Sequence, residues 1–411
     1  MKDLILSLSI FTSTIFFSIS TILGQNPEDT SGYHLFAAGY AVVCVFVLWI
    51  ESQRYRKRMK VSNILSLFVL FVIVTIGLFS DSTNNTYFQQ YIVFSIPAAL
   101  VGMYYGSKQD VSLLIKWLDV YFIIITISVF VSFPQYYSSR LFGEELYSQK
   151  LSYESAFVLL LNVFLLADTN RSRHFNFTNT KLYRAFAIII IPLLLFIIIL
   201  SGGRGGFLTL LFGFIVFLYA NKRKRRHVFR YIIVVTAIIF VAYLVAMQTL
   251  DPTVYDFASE SFGRIFSYIS DGKIDMSQTS GRDEILTKAF SLIKSKPILG
   301  YGFFNYINSL GTYPHNIFVE WLLQGGILFF VFSVCLTLRF YIKILNMIKH
   351  DNSFVVILPI FIYPLTELLF SGTWVSNPFL WFSLFYVWNY QGNNCAKVPV
   401  SIGIDEKELI C

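Results

Sequence analysis

Apolar runs of about 17–25 residues, the length that crosses a bilayer as a helix, recur through this chain almost from end to end. No other feature constrains the fold as strongly. Inside a hydrocarbon layer every backbone N–H and C=O needs a partner within the protein, so such runs fold as helices. They fall at 4–23, 35–50, 61–79, 88–106, 112–133, 151–167, 185–200, 206–220, 231–250, 316–338, 354–370 and 379–390. The expectation is an all-α, polytopic membrane bundle of about 12 transmembrane helices. A composition 55% hydrophobic and only 14% charged excludes an ordinary soluble protein of 411 residues.

Lysine and arginine placement orients the bundle, because short cytoplasmic loops collect positive charge. With the N-terminus inside, 23 of the 32 basic residues fall in inside segments. They include Lys2, the cluster Arg54–Lys60, Lys108, Arg184 and the run Lys222–Arg226. Of the nine outside, six lie in one long loop, 251–315, a length largely exempt from the rule. Both termini are therefore expected in the cytoplasm, with the long loop on the far side. The chain divides into 1–250 (transmembrane helices 1–9), the loop 251–315 with an amphipathic helix, 316–390 (helices 10–12) and a cytoplasmic tail, 391–411.

The net charge of +8 follows from this placement and does not require a nucleic-acid partner. The sequence KRKRR at Lys222–Arg226 reads as a topology anchor between two spans, with anionic lipid or nucleic acid as the alternative reading. The first apolar run lacks a small-residue cleavage site and reads as a retained helix. The four cysteines form no close pair that points to a disulfide or a zinc site. No metal-ligand set is visible. Asp271 and Asp275 have no flanking His or Cys, and Glu28–Asp29 in the first outer loop is kept as a minor metal alternative.

The chemistry concentrates on the far side. The predicted span 185–200 runs into SGGRGG, Ser201–Gly206, where glycines permit close helix approach. Arg204 projects from that turn. A guanidinium at a membrane surface either meets an anion, best a phosphate or carboxylate, or snorkels to water. From Ser280 a helix is expected, with Asp283 completing a capping box and Pro297 beyond its end. Ile285, Leu286, Ala289, Phe290, Leu292 and Ile293 share its apolar face, which rests on the outer leaflet or across the mouth of the bundle. Arg282 lies in its first turn, where free N–H groups favour an anion; a solvated surface arginine is the bland alternative. Arg264, in SFGRIFSY, is a weaker third cation.

Tyr313-Pro314-His315-Asn316 leads into span ten. His315 is one of five histidines, and either a proton-transfer group or a structural helix-end residue. Asn316, Glu320 and Gln324 are spaced four apart, so they share one helix face, which must point into the bundle. Glu320 either orients the site or bonds neighbouring helices.

This order of motifs resembles the O-antigen polymerase and O-antigen ligase superfamily of bacterial membrane glycosyltransferases. The resemblance rests on SGGRGG, Ser280-Gly281-Arg282, the segment Pro297-Ile298-Leu299-Gly300-Tyr301-Gly302, and Pro314-His315-Asn316 leading to Glu320 and Gly325-Gly326. It covers roughly residues 185–340. It implies a GT-C-like fold with a periplasmic active site in the bacterial inner membrane. It also implies metal-independent, inverting glycosyl transfer without a cofactor. Arg204 and Arg282 would contact the diphosphate of a polyprenyl-diphosphate-linked glycan; beside what the resemblance implies, Arg264, Tyr313, Asn316 and Glu320 are candidate substrate contacts by position. His315 would assist the acceptor hydroxyl. The acceptor would be lipid-linked in a polymerase, the favoured reading, or lipid A–core in a ligase. A chain-length regulator protein is a further implied partner. The glycine richness around Arg204 departs from the family pattern. A lipid-linked oligosaccharide flippase is the competing class; it should show two related halves and charges near the midplane.

Overall fold

A computed structural model describes residues 2–23, 30–54, 61–80, 83–108, 111–141, 148–170, 172, 174–220, 282–350 and 352–390. Among them the secondary structure is helical throughout. In chain order the helices are α1 (Lys2–Ile22), α2 (Thr30–Arg54), α3 (Val61–Phe79), α4 (Asn85–Gln90), α5 (Ile96–Lys108), α6 (Ser112–Leu141), α7 (Ser148–Ala167), α8 (Lys181–Ser201), α9 (Arg204–Ala220), α10 (Arg282–Ser295), α11 (Tyr306–Leu310), α12 (Ile317–His350), α13 (Asn352–Phe370) and α14 (Pro378–Asn389). A π-helical turn, Tyr91–Ser95, joins α4 to α5.

The helices coincide with the apolar runs, as the backbone's need for internal partners requires. Eight of the described helices are long and apolar enough to cross a bilayer: α1, α2, α3, α6, α7, α8, α12 and α13. The expected count of twelve is not reached among the described residues. The run 88–106 is helical throughout, with a π turn inside it, while α9 has 17 residues and α14 has 12. Short α14 is almost wholly buried, so protein rather than lipid surrounds it. The predicted span 231–250, the basic run Lys222–Arg226, Arg264 and the tail 391–411 lie outside the described residues.

Small residues set the closest packing. Gly102 and Gly106 of α5 lie directly on the backbone of α14 at Phe382 and Tyr386, where a methyl group would have no room. Spacing of four puts both on one face, the arrangement by which apolar helices approach closely in lipid. Polar groups cover the backbone defects that proline makes. Pro364 removes the N–H that would reach Ile360, and the Ser383 hydroxyl of α14 donates to that carbonyl instead, at 3.3 Å.

Helix ends sort into two sets. At one end Lys2 and Lys108 meet Glu51 at 3.0 and 3.7 Å, which ties the start of α1 to the ends of α2 and α5. At the same end His174, between α7 and α8, lies 3.1 Å from Asp119 and 3.2 Å from Asp168, all buried. Burial alone would push this imidazole down. The hydrogen bonds and charges of Asp119 and Asp168 outweigh burial and hold it up at about 9. At the other end Tyr136 of α6 donates to Ser201 O of α8 (3.1 Å), and Asn84 before α4 donates to Asn308 of α11 (2.9 Å).

Candidate functional site

The SGGRGG turn is short because its backbone and packing both demand it. Gly202 closes α8 in the left-handed region, at φ 64°, with its N–H on Ile199 O. One residue later α9 begins, with Arg204 at its first position and half-buried. The Ser152 hydroxyl of α7 donates to Gly203 O at 2.8 Å. Gly205 abuts the Tyr153 ring and Gly206 abuts Ser152, so side chains at either position would force α9 off α7. The glycine richness around Arg204 is the condition for this contact.

The last turn of α13 links Arg204 to the second motif. Thr209 of α9 donates to Thr366 at 2.7 Å. Asn316 donates through Nδ2 to Leu369 O at 3.1 Å. At a rise of about 1.5 Å per residue, Arg204 lies about 7 Å beyond Thr209 and Leu369 about 5 Å beyond Thr366. The Arg204 turn and the His315–Asn316 turn therefore flank the end of α13 at similar heights. Asn316 also caps α12: its Oδ1 accepts from Phe318 N and Val319 N at 3.0 and 3.2 Å. His315 just before it takes φ 55°, a left-handed conformation seldom adopted outside glycine, Asn, Asp and His. Its ring lies 4.5 Å from that of Tyr313.

Glu320 has a different setting. It is 1% exposed. Its carboxylate accepts from Tyr87 OH, from Thr373 at 2.5 Å, from Tyr306 at 2.9 Å, and from Trp374 N and Gln324 at 3.4 Å. These donors come from α4, α11, α12 and the loop before α14. Of the two readings for Glu320, bonding to neighbouring elements is what the geometry displays. The stripe Asn316, Glu320 and Gln324 does face the interior, as polar groups in an apolar helix must.

Between Glu320 and the loop 296–302 the helix breaks. Gly325 (φ −134°, ψ 17°) and Gly326 (φ 61°, ψ −159°) leave the helical region inside α12. The loop fills the break. Tyr301 N donates to Leu323 O and Gly302 N to Gln324 O, both at 2.7 Å, and Ile327 N donates to Pro297 O at 2.9 Å. Gly300 sits against the backbone at Leu323–Gly325 and Gly326 against the Ile298 carbonyl. The two glycine motifs of the sequence are thus one clasp, and its backbone groups pair with each other as non-helical segments in a membrane require. The clasp holds α10 beside α12. Ile285, Leu286, Leu292 and Ile293 pack on the core, so the apolar face of α10 rests on the bundle rather than on lipid. Arg282 opens this helix, with Asp283 and Glu284 beside it in the first turn; the side chain of Arg282 lies outside the described residues.

Two further acidic residues stand at this end, and neither is among the candidates that the sequence motifs single out. Glu367 of α13 accepts from Asn377 at 2.9 Å and from Tyr363 at 3.3 Å. Glu154 of α7 lies 3.8 Å from Lys150, one turn from Phe157, whose ring packs on Tyr363. Each is a lone carboxylate inside an apolar run, and that is the signal by which the sequence marks it. Among the described residues, no group of three or more His, Cys, Asp or Glu is placed to hold a metal ion.

Residues 188–334 match a family model described as Wzy_C, O-antigen ligase. No curated protein matches the chain, and no solved structure does.

Proposed function

We propose, from the match of residues 188–334 to a family model described as O-antigen ligase, that the chain is a member of the O-antigen polymerase and ligase superfamily and polymerises a surface polysaccharide. Members of this superfamily are membrane enzymes that transfer O-antigen glycans. In the proposed reaction a glycan leaves its polyprenyl diphosphate and joins a second lipid-linked repeat unit on the periplasmic side, by a metal-independent, inverting, GT-C-type transfer. The bond from sugar C1 to the diphosphate oxygen breaks as C1 bonds to the acceptor hydroxyl from the opposite face. The diphosphate departs as an anion, and the hydroxyl proton passes to a base.

The residues are assigned by chemistry. Arg204 and Arg282 stabilise charge that develops on the diphosphate, which fixed cations at a low-dielectric boundary do better in the transition state than in the ground state. Neutral His315 takes the hydroxyl proton. Tyr313 and Asn316 flank His315 as substrate contacts. Arg264 is a further cation for the substrate. Glu320 acts through the elements it ties together and by this route supports the turn at His315. The observation that carries the reading is that the Arg204 turn and the His315 turn, both within the matched segment, bracket the same helix end.

The name of the family model favours a second reading, a ligase that moves the finished polymer to lipid A–core. The glycan ladder of a deletion strain separates the two. Single-repeat caps are expected from loss of a polymerase; accumulated lipid-linked polymer would make the protein a ligase. Complementation by Arg282→Ala or His315→Ala should restore the protein to the membrane and not the ladder. A normal ladder from both variants would remove the site assignment.

A further inference from the structure

The clasp displays apolar side chains that neither the core nor the proposed site uses. Ile298 is 60% exposed and Leu299 72%. Phe290, on the outer side of α10, is 49% exposed. Scattered exposed apolar residues need no explanation, but a contiguous patch does. Here the clasp makes the patch contiguous with a surface of known character. Ile327 N bonds to Pro297 O, and Gly326 lies against the Ile298 carbonyl. Ile298 and Leu299 therefore sit beside the first residues of the long second part of α12. That part presents Ile327, Leu328, Val331, Phe332 and Leu338 outward, all exposed, along one face of an apolar span. Such a face in a membrane helix is covered by lipid.

We infer that the turn Pro297–Leu299 is a lipid-surface anchor whose Ile298 and Leu299 enter the acyl region of the bilayer beside Ile327 and Leu328. The occupant of the patch is lipid, because the patch continues a lipid-facing stripe. Much of the backbone around the turn is paired. Gly300 N donates to Lys296 O, Tyr301 N and Gly302 N are taken by α12, and Pro297 has no N–H to satisfy. The flanking charges suit an interface. Lys294 and Lys296 are exposed at the end of α10, where long basic chains reach headgroups while their stems cover apolar surface. The Lys296 ammonium lies 4.6 Å from the Tyr301 ring, at the base of the clasp. The anchor stands independently of the reaction assigned above, since it rests on the clasp and the apolar stripe.

The test uses the full chain, with its native cysteines replaced, in nanodiscs of phosphatidylcholine and phosphatidylglycerol holding one copy each. An environment-sensitive fluorophore is attached at Leu299→Cys, at Leu328→Cys as the lipid reference, and at Ser291→Cys, an exposed polar position of α10, as the aqueous reference. At Leu299→Cys, quenching by lipids spin-labelled on the acyl chain should come within about twofold of that at Leu328→Cys, as insertion about 5–10 Å below the headgroups requires. Aqueous iodide should quench Ser291→Cys strongly and Leu299→Cys weakly. Iodide quenching at Leu299→Cys equal to that at Ser291→Cys would overturn the anchor. Protection from both quenchers would also overturn it, because protein rather than lipid would then cover the patch. A rise in that protection with two copies per disc would identify a second chain as the cover. Ile298→Cys repeats the measurement should Leu299→Cys fail to assemble, and the glycan ladder of each unlabelled variant reports separately on the reaction.

Discussion

The two ends of the bundle hold most of their acidic residues in different ways, Glu154 beside Lys150 at the Arg204 end excepted. At the Lys2 end acids meet bases: Asp119 and Asp168 hold His174 between them, and Glu51 takes Lys2 and Lys108. At the Arg204 end Glu320 and Glu367 are bonded by neutral donors, namely Tyr87, Tyr306, Thr373, Asn377 and backbone N–H. Charge cancelled within the protein makes a closed structural staple. Carboxylates held by hydroxyls and amides, as Glu320 and Glu367 are, brace neighbouring elements. The contrast teaches that an acid inside the bundle can be stabilised either by an opposite charge or by several neutral donors.

The comparison breaks first at the proposed site. His315→Gly relieves the positive-φ backbone and removes the imidazole, so it should cost at least about 100-fold in glycan transfer with little change in membrane abundance. Equal loss of abundance and activity would turn His315 into a structural residue and erase the difference between the ends. Next comes Glu320→Ala, which leaves several buried donors unpaired and should destabilise the protein by about 3 kcal/mol or more, seen as a lower thermal midpoint in detergent. Glu320→Gln keeps one acceptor and should cost about 1 kcal/mol. A Glu320→Ala protein of native stability that has lost transfer would move Glu320 from brace to reacting group.

The staple at the other end has a pH signature. His174 is held at about 9, above the imidazole's usual 6.5. The stabilisation is therefore fully present below about pH 6.5 and lost as pH rises through about 9, on the order of 3 kcal/mol in all. Melting of the wild type should fall across that window, and His174→Asn should flatten the profile while leaving transfer chemistry intact. Unchanged pH dependence in the variant would show that the two aspartates do not depend on the imidazole's charge. The smallest effect is expected from Lys108→Ala. Its ammonium is partly exposed and 3.7 Å from Glu51, which keeps Lys2 at 3.0 Å, so the cost should stay below about 1 kcal/mol.

Much of the fold is legible in the sequence. Hydropathy places α3 at 61–79 and locates the other described long helices, although α6 and α12 run 8 and 12 residues past the expected ends, because in lipid the backbone has no alternative to the helix. Spacing of four places Asn316, Glu320 and Gln324 on one inward face. The lone carboxylates Glu154 and Glu367 are harder to pick out, since each sits inside a run whose length alone identifies it as a span. Glycines at 300, 302, 325 and 326 are visible as motifs without their purpose, since a clasp is defined by two segments that meet.

The sequence by itself determined the helices and the motifs that mark the superfamily, because these depend on local composition and on short spacings along one chain. Only the tertiary structure decided which groups bond Glu320, that Gly205 and Gly206 seat α9 on α7, and that the loop at 297–302 fills the break in α12. The physical reason is separation. Tyr87 and Glu320, or Ser152 and Gly203, lie far apart in the chain, and whether two such groups meet is set by how helices pack rather than by anything written near either residue.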